Sequence, residues 1–292
     1  MARITVYTPT FNRAYTLERA YQALCRQTCK DFEWLIIDDG STDNTKQIVE
    51  EWITEGKIPI TYYYQDNSGV NVARNKAIEL ISTELNICVD SDDYLTDDAI
   101  ELLITTWKNR TVLNSCGIIG YDVFQSGEYA CDLFPESIGE TTTLFELYEK
   151  YHCMGDKKMM YRTDLCKKYP CPVFPGEKYY PNRKKYYLIE REGPLIILRK
   201  PLCIVEYLPD GITASTYKRY MKNPVGLADY RLFLMDNDPS LKNIIRQSIH
   251  YVAMNIISKN GIGQKSTKHK ISNILCAPMG FALYLYILFK NR

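Results

Sequence analysis

Histidine is scarce in this chain of 292 residues, and the three histidines, His152, His250 and His269, lie in no spacing typical of metal ligands. The sequence also has no GxGxxG motif, which argues against a dinucleotide-dependent oxidoreductase. The segment TPTFNR after the first predicted strand lacks the glycines that a nucleotidyltransferase normally carries there. These absences disfavour a histidine-built metal site and both of those enzyme classes.

No two of the ten cysteines are spaced as CxxC, and several of them, such as Cys88 and Cys203, lie inside apolar runs. We therefore expect reduced thiols in a cytosolic protein and no disulfide framework. The first residues carry charges, including Arg13 and Glu18, and no apolar stretch of signal-peptide length. This pattern predicts a cytoplasmic location.

Acidic residues are absent after Asp238, although eight Lys and Arg follow it. A basic end on an acidic body predicts a polyanionic neighbour, either nucleic acid or an anionic membrane face. The basic residues alternate with aliphatic ones, and no motif that reads DNA or RNA occurs. We therefore expect no nucleic-acid partner.

The longest apolar stretch near the end of the chain is Ile274–Phe289, with sixteen residues. Spanning a bilayer takes about 20 residues, and Pro278 and Gly280 interrupt the stretch. Two interpretations stay open. The segment is either a helix packed on the protein or a homodimer contact, or it is an interfacial helix whose KSTKHK flank, Lys265–Lys270, binds anionic head groups at the inner face of the cell membrane.

Strand and helix patterns alternate four times in the first 110 residues. This alternation predicts a parallel α/β sheet with right-handed crossovers. We expect a Thr96 cap on the last helix. The predicted strands are Arg3–Pro9, Phe32–Asp39, Ile58–Gln65 and Leu85–Asp90, and the helices are Tyr15–Thr28, Ser41–Trp52, Gly69–Ile81 and Thr96–Trp107.

Polar side chains cluster where each predicted strand ends, in Thr8–Arg13, Asp38–Ser41, Gln65–Asn67 and Asp90–Asp93. Ligands of open α/β sheets bind at that edge, so we expect these four segments around one cleft. From Gly117 the alternation loosens. Further strands are predicted at 117–124, after Lys158 and after Pro201, followed by helices from Val225 to Lys259.

Five carboxylates lie within the nine residues Asp90–Asp98, directly after an apolar run. Asp97 and Asp98 are explained by a helix N-terminus, which favours anions. A calcium loop is rejected because Leu95 stands where an EF-hand needs glycine. The remaining pattern is DxD, in which two carboxylates hold Mg²⁺ or Mn²⁺ against a nucleotide diphosphate.

Four blocks in this order, VYTPTFNR, LIIDDGSTDNT, NSGVNVARNKAI and VDSDDYL, resemble a family 2 glycosyltransferase with the GT-A fold, of the bacterial surface-polysaccharide type. The resemblance extends more weakly through GDKKMMYRTDL and FPGEKYYP. It implies a catalytic domain at 1–222, with a nucleotide-binding half at 1–110 and an acceptor-binding half at 111–222. A helical, basic extension covers 223–292.

The resemblance also implies roles for matching residues. Asp39 would accept from the uracil imide N–H, Asp92 would be the direct metal ligand, and Asp90 would contact the ribose or the metal. Turn formation is an equal alternative for Asp38, and a surface charge is the alternative for Arg74. The implied nucleotide-sugar site comprises Thr8, Pro9, Phe11, Arg13, Asp38, Asp39, Asn67, Arg74, Asp90 and Ser91.

The implied reaction is inverting displacement at the anomeric carbon, in which Mn²⁺ or Mg²⁺ offsets charge on the leaving diphosphate. A carboxylate would take the proton from the acceptor hydroxyl. Glu177 is the best match for this base, although Lys178 replaces the second acid of the usual pair. Asp156 is the second candidate, and an exposed loop carboxylate is the alternative reading of Glu177.

Together these features predict an inverting, metal-dependent transferase. It would move a sugar from a UDP-sugar to a surface glycan linked to a polyprenyl carrier. A catalytically inactive nucleotide-binding scaffold of a membrane glycan-assembly complex is the alternative.

Overall fold

The computed structural model describes residues 3–208, 216–259 and 268–291. Part of the predicted KSTKHK flank, including Lys265, lies outside these residues. The chain forms two compact units, Met1–Pro170 with Lys185–Glu206, and Cys171–Lys184 with Tyr207–Arg292. This division differs from the predicted boundary at 222/223, because the segment 171–184 packs with the C-terminal helices.

The predicted strands and helices of the first 110 residues are all present. Helix α4 begins at Ala99 after Asp98, so the expected Thr96 cap is wrong. The Thr96 carbonyl instead accepts the Ala99 N–H in the preceding turn. The elements are β1 Ile4–Thr10, α1 Ala14–Arg26, β2 Phe32–Asp38, α2 Thr45–Glu55, β3 Ile60–Tyr64, α3 Val70–Leu80, β4 Leu85–Cys88, β5 Tyr94–Leu95 and α4 Ala99–Lys108.

The later elements are shorter and less regular. A 3₁₀ turn at Glu136–Ile138 and a π-helical turn at Glu146–Lys150 separate the strands. The elements are β6 Gly117–Val123, β7 Thr141–Thr142, β8 Lys157–Arg162, α5 Thr163–Lys168, α6 Arg183–Ile189, β9 Leu195–Ile204, α7 Thr216–Lys222, α8 Pro224–Asn237, α9 Leu241–Ile257, α10 Lys270–Leu275 and α11 Ala277–Lys290.

One mixed sheet forms the first unit, and within the described residues it has nine strands. Its order is β3-β2-β1-β4-β8-β6-β9-β5, with β7 beside β9. Strands β1 to β4 are mutually parallel, as predicted from the βα alternation. Strand β8 then enters between β4 and β6 antiparallel to both, which makes the sheet mixed.

Aromatic packing fixes the sheet against its helices. The Tyr21 ring on α1 stacks on Trp52 of α2 with centroids 4.5 Å apart, and Trp34 of β2 lies 5.9 Å from Trp52. The indole Nε1 of Trp34 donates to Thr8 Oγ1 of β1 at 3.0 Å. Burial of such large rings, with a partner for the indole N–H, is a strong anchor for the two central strands.

The second unit has its own apolar core between α8, α9 and α11. Leu227, Met235, Tyr251, Met254 and Ile287 are buried in it. Across the parts of the chain that the structure describes, none of the helices combines the length and the apolar character needed to cross a bilayer.

The buried Gln27, directly after α1, is hydrogen-bonded to the acidic loop, by which we mean residues 90–98. Its Nε2 donates to the Thr96 carbonyl at 2.7 Å, and its Oε1 accepts the Ile100 N–H at 3.1 Å. Gln27 thereby supplies an acceptor for an N–H at the N-terminus of α4, which has no partner within its own helix.

We predict that Gln27→Leu lowers the free energy of unfolding by about 1–3 kcal/mol, because it leaves buried backbone groups unpaired. Urea denaturation measures this change. Gln22→Leu in α1 is the matched control, since Gln22 is exposed and, among the described residues, its side chain pairs only with Glu18. An equal effect of both substitutions would contradict the role of Gln27.

Candidate active site at the carboxyl edge of the sheet

The ends of the first four strands meet at one edge of the sheet. The N–H of Asp39 donates to the Thr10 carbonyl at 2.8 Å, and the N–H of Val89 donates to the Tyr7 carbonyl at 3.0 Å. Strand β3 continues beside β2 in parallel register. The four polar segments that follow these strands are therefore neighbours.

Asp38 holds the turn after β2. Its Oδ1 accepts the Ser41 N–H at 2.7 Å, and its Oδ2 accepts the Tyr62 hydroxyl at 2.6 Å. The residue is fully buried. These contacts favour the turn-forming alternative for Asp38 over direct contact with a ligand.

Asp39 organises the loop that leads into α3. Its Oδ1 accepts from Gln65 Nε2 at 2.7 Å and from the Ser68 N–H at 2.9 Å, and its Oδ2 accepts the Gly69 N–H at 2.8 Å. The Asn67 side chain donates to the Asp39 carbonyl at 2.7 Å. The carboxylate thus binds N–H groups at the start of the helix, where negative charge is stabilised.

Arg74 and Asp90 form the main ion pair of the edge, with Nη2 and Oδ1 2.8 Å apart. The Arg74 side chain is only 11% exposed, whereas that of Asp90 is 48% exposed. Burial pushes the pKa of the Asp90 carboxyl upward, but Arg74 and Lys158 outweigh it and hold that pKa below its usual value. Arg74 is therefore a buried cation and not a charged residue at the surface. Asp90 stays ionised at the edge of the site.

The other carboxylates of the DxD segment differ in their surroundings. Burial, together with the charge of Asp90, raises the pKa of Asp92, whose side chain makes no ion pair within the described part of the chain. Burial raises the pKa of Asp93 to about 7, although Lys158 acts in the opposite direction. The Lys158 ammonium lies 3.4 Å from Asp93 Oδ2.

Two further charged residues lie near the carboxylates of the DxD segment and were not predicted from the sequence. Lys158 on β8 and Asp122 on β6 are both buried, and each influences the other's pKa. Asp122 Oδ1 has no hydrogen-bond partner within the described residues, and burial raises the pKa of this carboxyl to about 6. The sequence signal that could have revealed Asp122 is a carboxylate inside the apolar run GIIGYDVF.

The remaining residues that the sequence predicts to contact the nucleotide sugar lie either in the wall of the candidate site or at its exposed rim. Thr8, Pro9 and Ser91 are buried in the wall of the edge. Phe11 is 46% exposed at the rim. Arg13, also at the rim, contacts the Tyr15 side chain through its guanidinium group. The rim therefore offers an aromatic ring and a cation to a ligand.

The two candidate bases lie in different units. Asp156 is exposed directly before β8, and its charge raises the pKa of Asp122. Glu177 belongs to the second unit, where its carboxylate accepts the N–H groups of Val225 at 2.6 Å and Gly226 at 2.7 Å at the start of α8. Glu177 is thus a helix-capping group and not an exposed loop carboxylate.

Comparison with known proteins identifies the family to which the chain belongs. The family model described as Glycosyl transferase family 2 matches residues 5–170. The glycosyltransferase GlyA of Streptococcus pneumoniae is 26% identical over 249 residues, which cover 80% of this chain and 35% of that protein. A GalNAc(5)-diNAcBac-PP-undecaprenol beta-1,3-glucosyltransferase of Campylobacter jejuni is 33% identical over 106 residues, covering 36% and 34%. The chain therefore spans about a third of the length of these relatives.

Solved structures share the fold over nearly the whole chain. Residues 1–349 of Staphylococcus aureus TarS in complex with UDP-GlcNAc align with a TM-score of 0.63 at 16% identity, covering 98% of this chain and 91% of that one. The mannosyltransferase PcManGT of Pyrobaculum calidifontis in complex with GDP-Man and Mn²⁺ aligns at 0.54 and 15% identity, covering 98% and 82%. The predicted GT-A fold is confirmed.

The raised pKa of Asp122 predicts that Asp122→Asn increases the free energy of unfolding, by an amount that depends on pH. In the native protein this carboxyl keeps its proton up to about pH 6, whereas the unfolded chain releases it near pH 4. The contribution of Asp122 to stability is therefore lost as the pH rises through that window. Relative to the native sequence, Asp122→Asn should gain up to about 3 kcal/mol between pH 4 and pH 7.

Asp43→Asn is the control of opposite sign for this experiment. Burial would raise the pKa of Asp43, but hydrogen bonds from Thr45 and the Ala14 N–H lower it. The stability from Asp43 is lost only in more acidic solution, so its variant should differ from the native protein by a constant amount above pH 5. Parallel curves for Asp122→Asn and Asp43→Asn would contradict the effect of burial on the Asp122 carboxyl.

Proposed function

Because this chain belongs to glycosyltransferase family 2, we propose that it transfers a sugar from a nucleotide sugar to a hydroxyl group of a glycan, with inversion at the anomeric carbon. The observation that carries the proposal is the placement of Asp90 and Asp92 at the end of β4, beside the buried Arg74. A carboxylate pair with a fixed cation behind it suits a diphosphate bound through a divalent metal.

We propose a UDP-linked donor that lies along the ends of β1, β2 and β4. Phe11 and Arg13 on the rim offer stacking and a positive charge, and Thr8 and Pro9 shape the wall. Three N–H groups already occupy the Asp39 oxygens, and this residue is 4% exposed. Asp39 therefore acts on the nucleotide by fixing the loop at Asn67, and not through the direct uracil contact expected from sequence.

The charges at the edge fit a divalent cation. Two buried cations, Arg74 and Lys158, lie among the four acidic side chains of Asp90, Asp92, Asp93 and Asp122, so the acidic groups outnumber the basic ones by two. A divalent cation would favour the ionised form of those acids whose pKa is raised. Within the described residues no three acidic, histidine or cysteine side chains are arranged to hold a metal by themselves. Mg²⁺ and Mn²⁺ at nucleotide sites need only one or two carboxylates, since phosphate and water complete the shell.

We propose Asp92 as the direct ligand of Mn²⁺ or Mg²⁺, with Asp90 beside it. When bound, the metal supplies Lewis-acid stabilisation of the leaving diphosphate. Arg74 keeps the Asp90 carboxylate ionised, and Lys158 holds the Asp93 side of the loop in place. These two cations orient the carboxylates before any donor arrives.

Asp92→Asn should weaken the Mn²⁺-dependent gain in melting temperature with UDP and should reduce sugar transfer by at least about a hundredfold, because even partners behind a metal ligand contribute about 10–100-fold. Thermal shift with UDP and Mn²⁺ gives a readout that does not depend on turnover. Asp97→Asn is the matched control in the same acidic stretch, since Asp97 pairs with Arg26 at the surface. Equal behaviour of both variants would contradict the metal role.

For the base we propose Asp156 over Glu177. Both Glu177 oxygens accept backbone N–H groups at the start of α8, so this carboxylate already serves as a helix cap in the second unit. Burial raises the pKa of Glu177, although these two hydrogen bonds act in the opposite direction. Asp156 is exposed and lies in the same unit as Asp92. The occupied Glu177 carboxylate is also the observation that favours the alternative, a nucleotide-binding protein without transferase activity.

Asp156→Asn should lower kcat by about 10²–10⁴-fold with an unchanged affinity for UDP, because only proton transfer is lost. Glu177→Gln should instead cost about 1 kcal/mol of stability through the weakened helix cap, with kcat nearly unchanged. Single-turnover transfer and urea denaturation separate the two effects. The opposite pattern would assign the base to Glu177, and a native protein that binds UDP without transfer would support the inactive alternative.

We further propose that the acceptor is a glycan on a polyprenyl carrier, used by a peripheral protein at the cytoplasmic side of the cell membrane. The Campylobacter relative, which is named for an undecaprenol-linked acceptor, supports this choice. The excess of Lys and Arg after Asp238 supports a negatively charged surface as the neighbour.

A further inference from the structure

Helix α11 is held firmly by one of its faces. A Cβ at Gly280 would lie 2.5 Å from Val252 Cγ1 of α9, so only glycine allows the two helices to approach this closely. Cys276, about one turn before Gly280, and Ile287, about two turns after it, lie on the same face and are also buried. The helix is therefore a packed part of the second unit, as one of the two interpretations of the sequence required.

The opposite face of α11 is also apolar, but it is exposed. Phe281, Leu285 and Phe289 follow one another at intervals of four residues, and 48–69% of each is accessible. Such spacing places them in one stripe along the helix. Met279, in the first turn of the helix, is 58% exposed as well.

Helix α10 continues the exposed apolar surface. Ile271, Ile274 and Leu275 are 56–78% exposed. The Cys276 thiol, between the two helices, contacts the Ile245 carbonyl of α9, and Ile245 is itself exposed. We call the following residues the α10–α11 face: Ile271, Ile274, Leu275, Met279, Phe281, Leu285 and Phe289.

The chain segment that carries the α10–α11 face has charges of one sign only. No charged residue occurs between Lys270 and Lys290, and no acidic residue follows Asp238. Asp236 of α8 is already paired with Lys268 at 3.1 Å and with His269 at 2.9 Å. An apolar surface flanked by lysines complements anionic head groups over acyl chains.

A second copy of the chain fits this surface poorly. A two-fold dimer places the same patch against itself. The lysines that flank the α10–α11 face would then meet lysines, with no acidic residue of the segment after Asp238 to pair with them. Like charges facing each other at an interface disfavour such a dimer.

We propose that the α10–α11 face is a membrane-docking surface, which lies in the plane of an anionic bilayer with Phe281, Leu285 and Phe289 among the acyl chains. The fourteen residues of α11 extend about 21 Å, which is shorter than the hydrocarbon core. The proposal deepens the proposed function, because it rests on that function for the polyprenyl-linked acceptor, although the surface itself does not depend on the chemistry.

The test is sedimentation of the full-length protein with vesicles of phosphatidylglycerol or of phosphatidylcholine. We expect binding to phosphatidylglycerol and at least about tenfold weaker binding to phosphatidylcholine. The double variant Phe281→Ser/Phe289→Ser should bind phosphatidylglycerol at least about tenfold more weakly. Ile53→Ser/Leu113→Ser is the matched control, since both residues are exposed and apolar in the first unit.

Three results would overturn the proposal. They are no binding of the native protein to phosphatidylglycerol, equal loss in both double variants, and a native dimer in light scattering that the Phe281→Ser/Phe289→Ser change dissociates. The docking variant should keep its thermal shift with UDP and Mn²⁺ and its transfer to a water-soluble acceptor. Failure of membrane docking is therefore distinguishable from failure of the proposed glycosyltransfer.

Discussion

The balance of charge at the end of β4 constrains the rest of the active-site edge. Arg74 and Lys158 are buried cations, and burial of a charge is costly unless it is paired. Both are placed among the carboxylates of Asp90, Asp93 and Asp122, so the two kinds of charge stabilise each other. The acids still outnumber the bases, and this excess is the physical basis of the divalent-cation site that we propose.

The loops around these charged residues are held by side chains that accept hydrogen bonds from backbone N–H groups. Asp38 holds its own turn, Asp39 binds the start of α3, and Gln27 joins the acidic loop to α1. Each of these side chains meets groups that a helix or turn leaves without a partner. The loops at the carboxyl edge are thus fixed by the protein itself, which is the preorganisation that electrostatic catalysis requires.

Most of the fold was predictable from the sequence, because hydrophobic periodicity and strand-end residues are local signals. The roles of Asp38, Asp39 and Glu177 were harder to predict. A carboxylate that binds backbone N–H groups of a distant segment looks, in sequence, the same as one that binds a ligand. The position of Lys158 was not predictable from local signals, because only the insertion of β8 beside β4 brings its ammonium to Asp93.

The C-terminal helix illustrates the same limit. Its sequence is apolar on every side, so the sequence left packing and membrane contact as alternatives. In the structure Gly280 and Ile287 face α9 while Phe281 and Phe289 are exposed. Packing therefore involves one face of the helix, and the membrane contact that we propose concerns the opposite face. This distinction needs the packing partner and not only the composition.

The most direct test of the central claim is anomalous diffraction from crystals grown with UDP and Mn²⁺. Our account predicts one manganese peak about 2.2 Å from an Asp92 oxygen, with the diphosphate of UDP on its other side and Arg74 still paired with Asp90. UDP bound at this edge without manganese beside Asp92, or manganese bound at a distance from the β4 carboxylates, would contradict it.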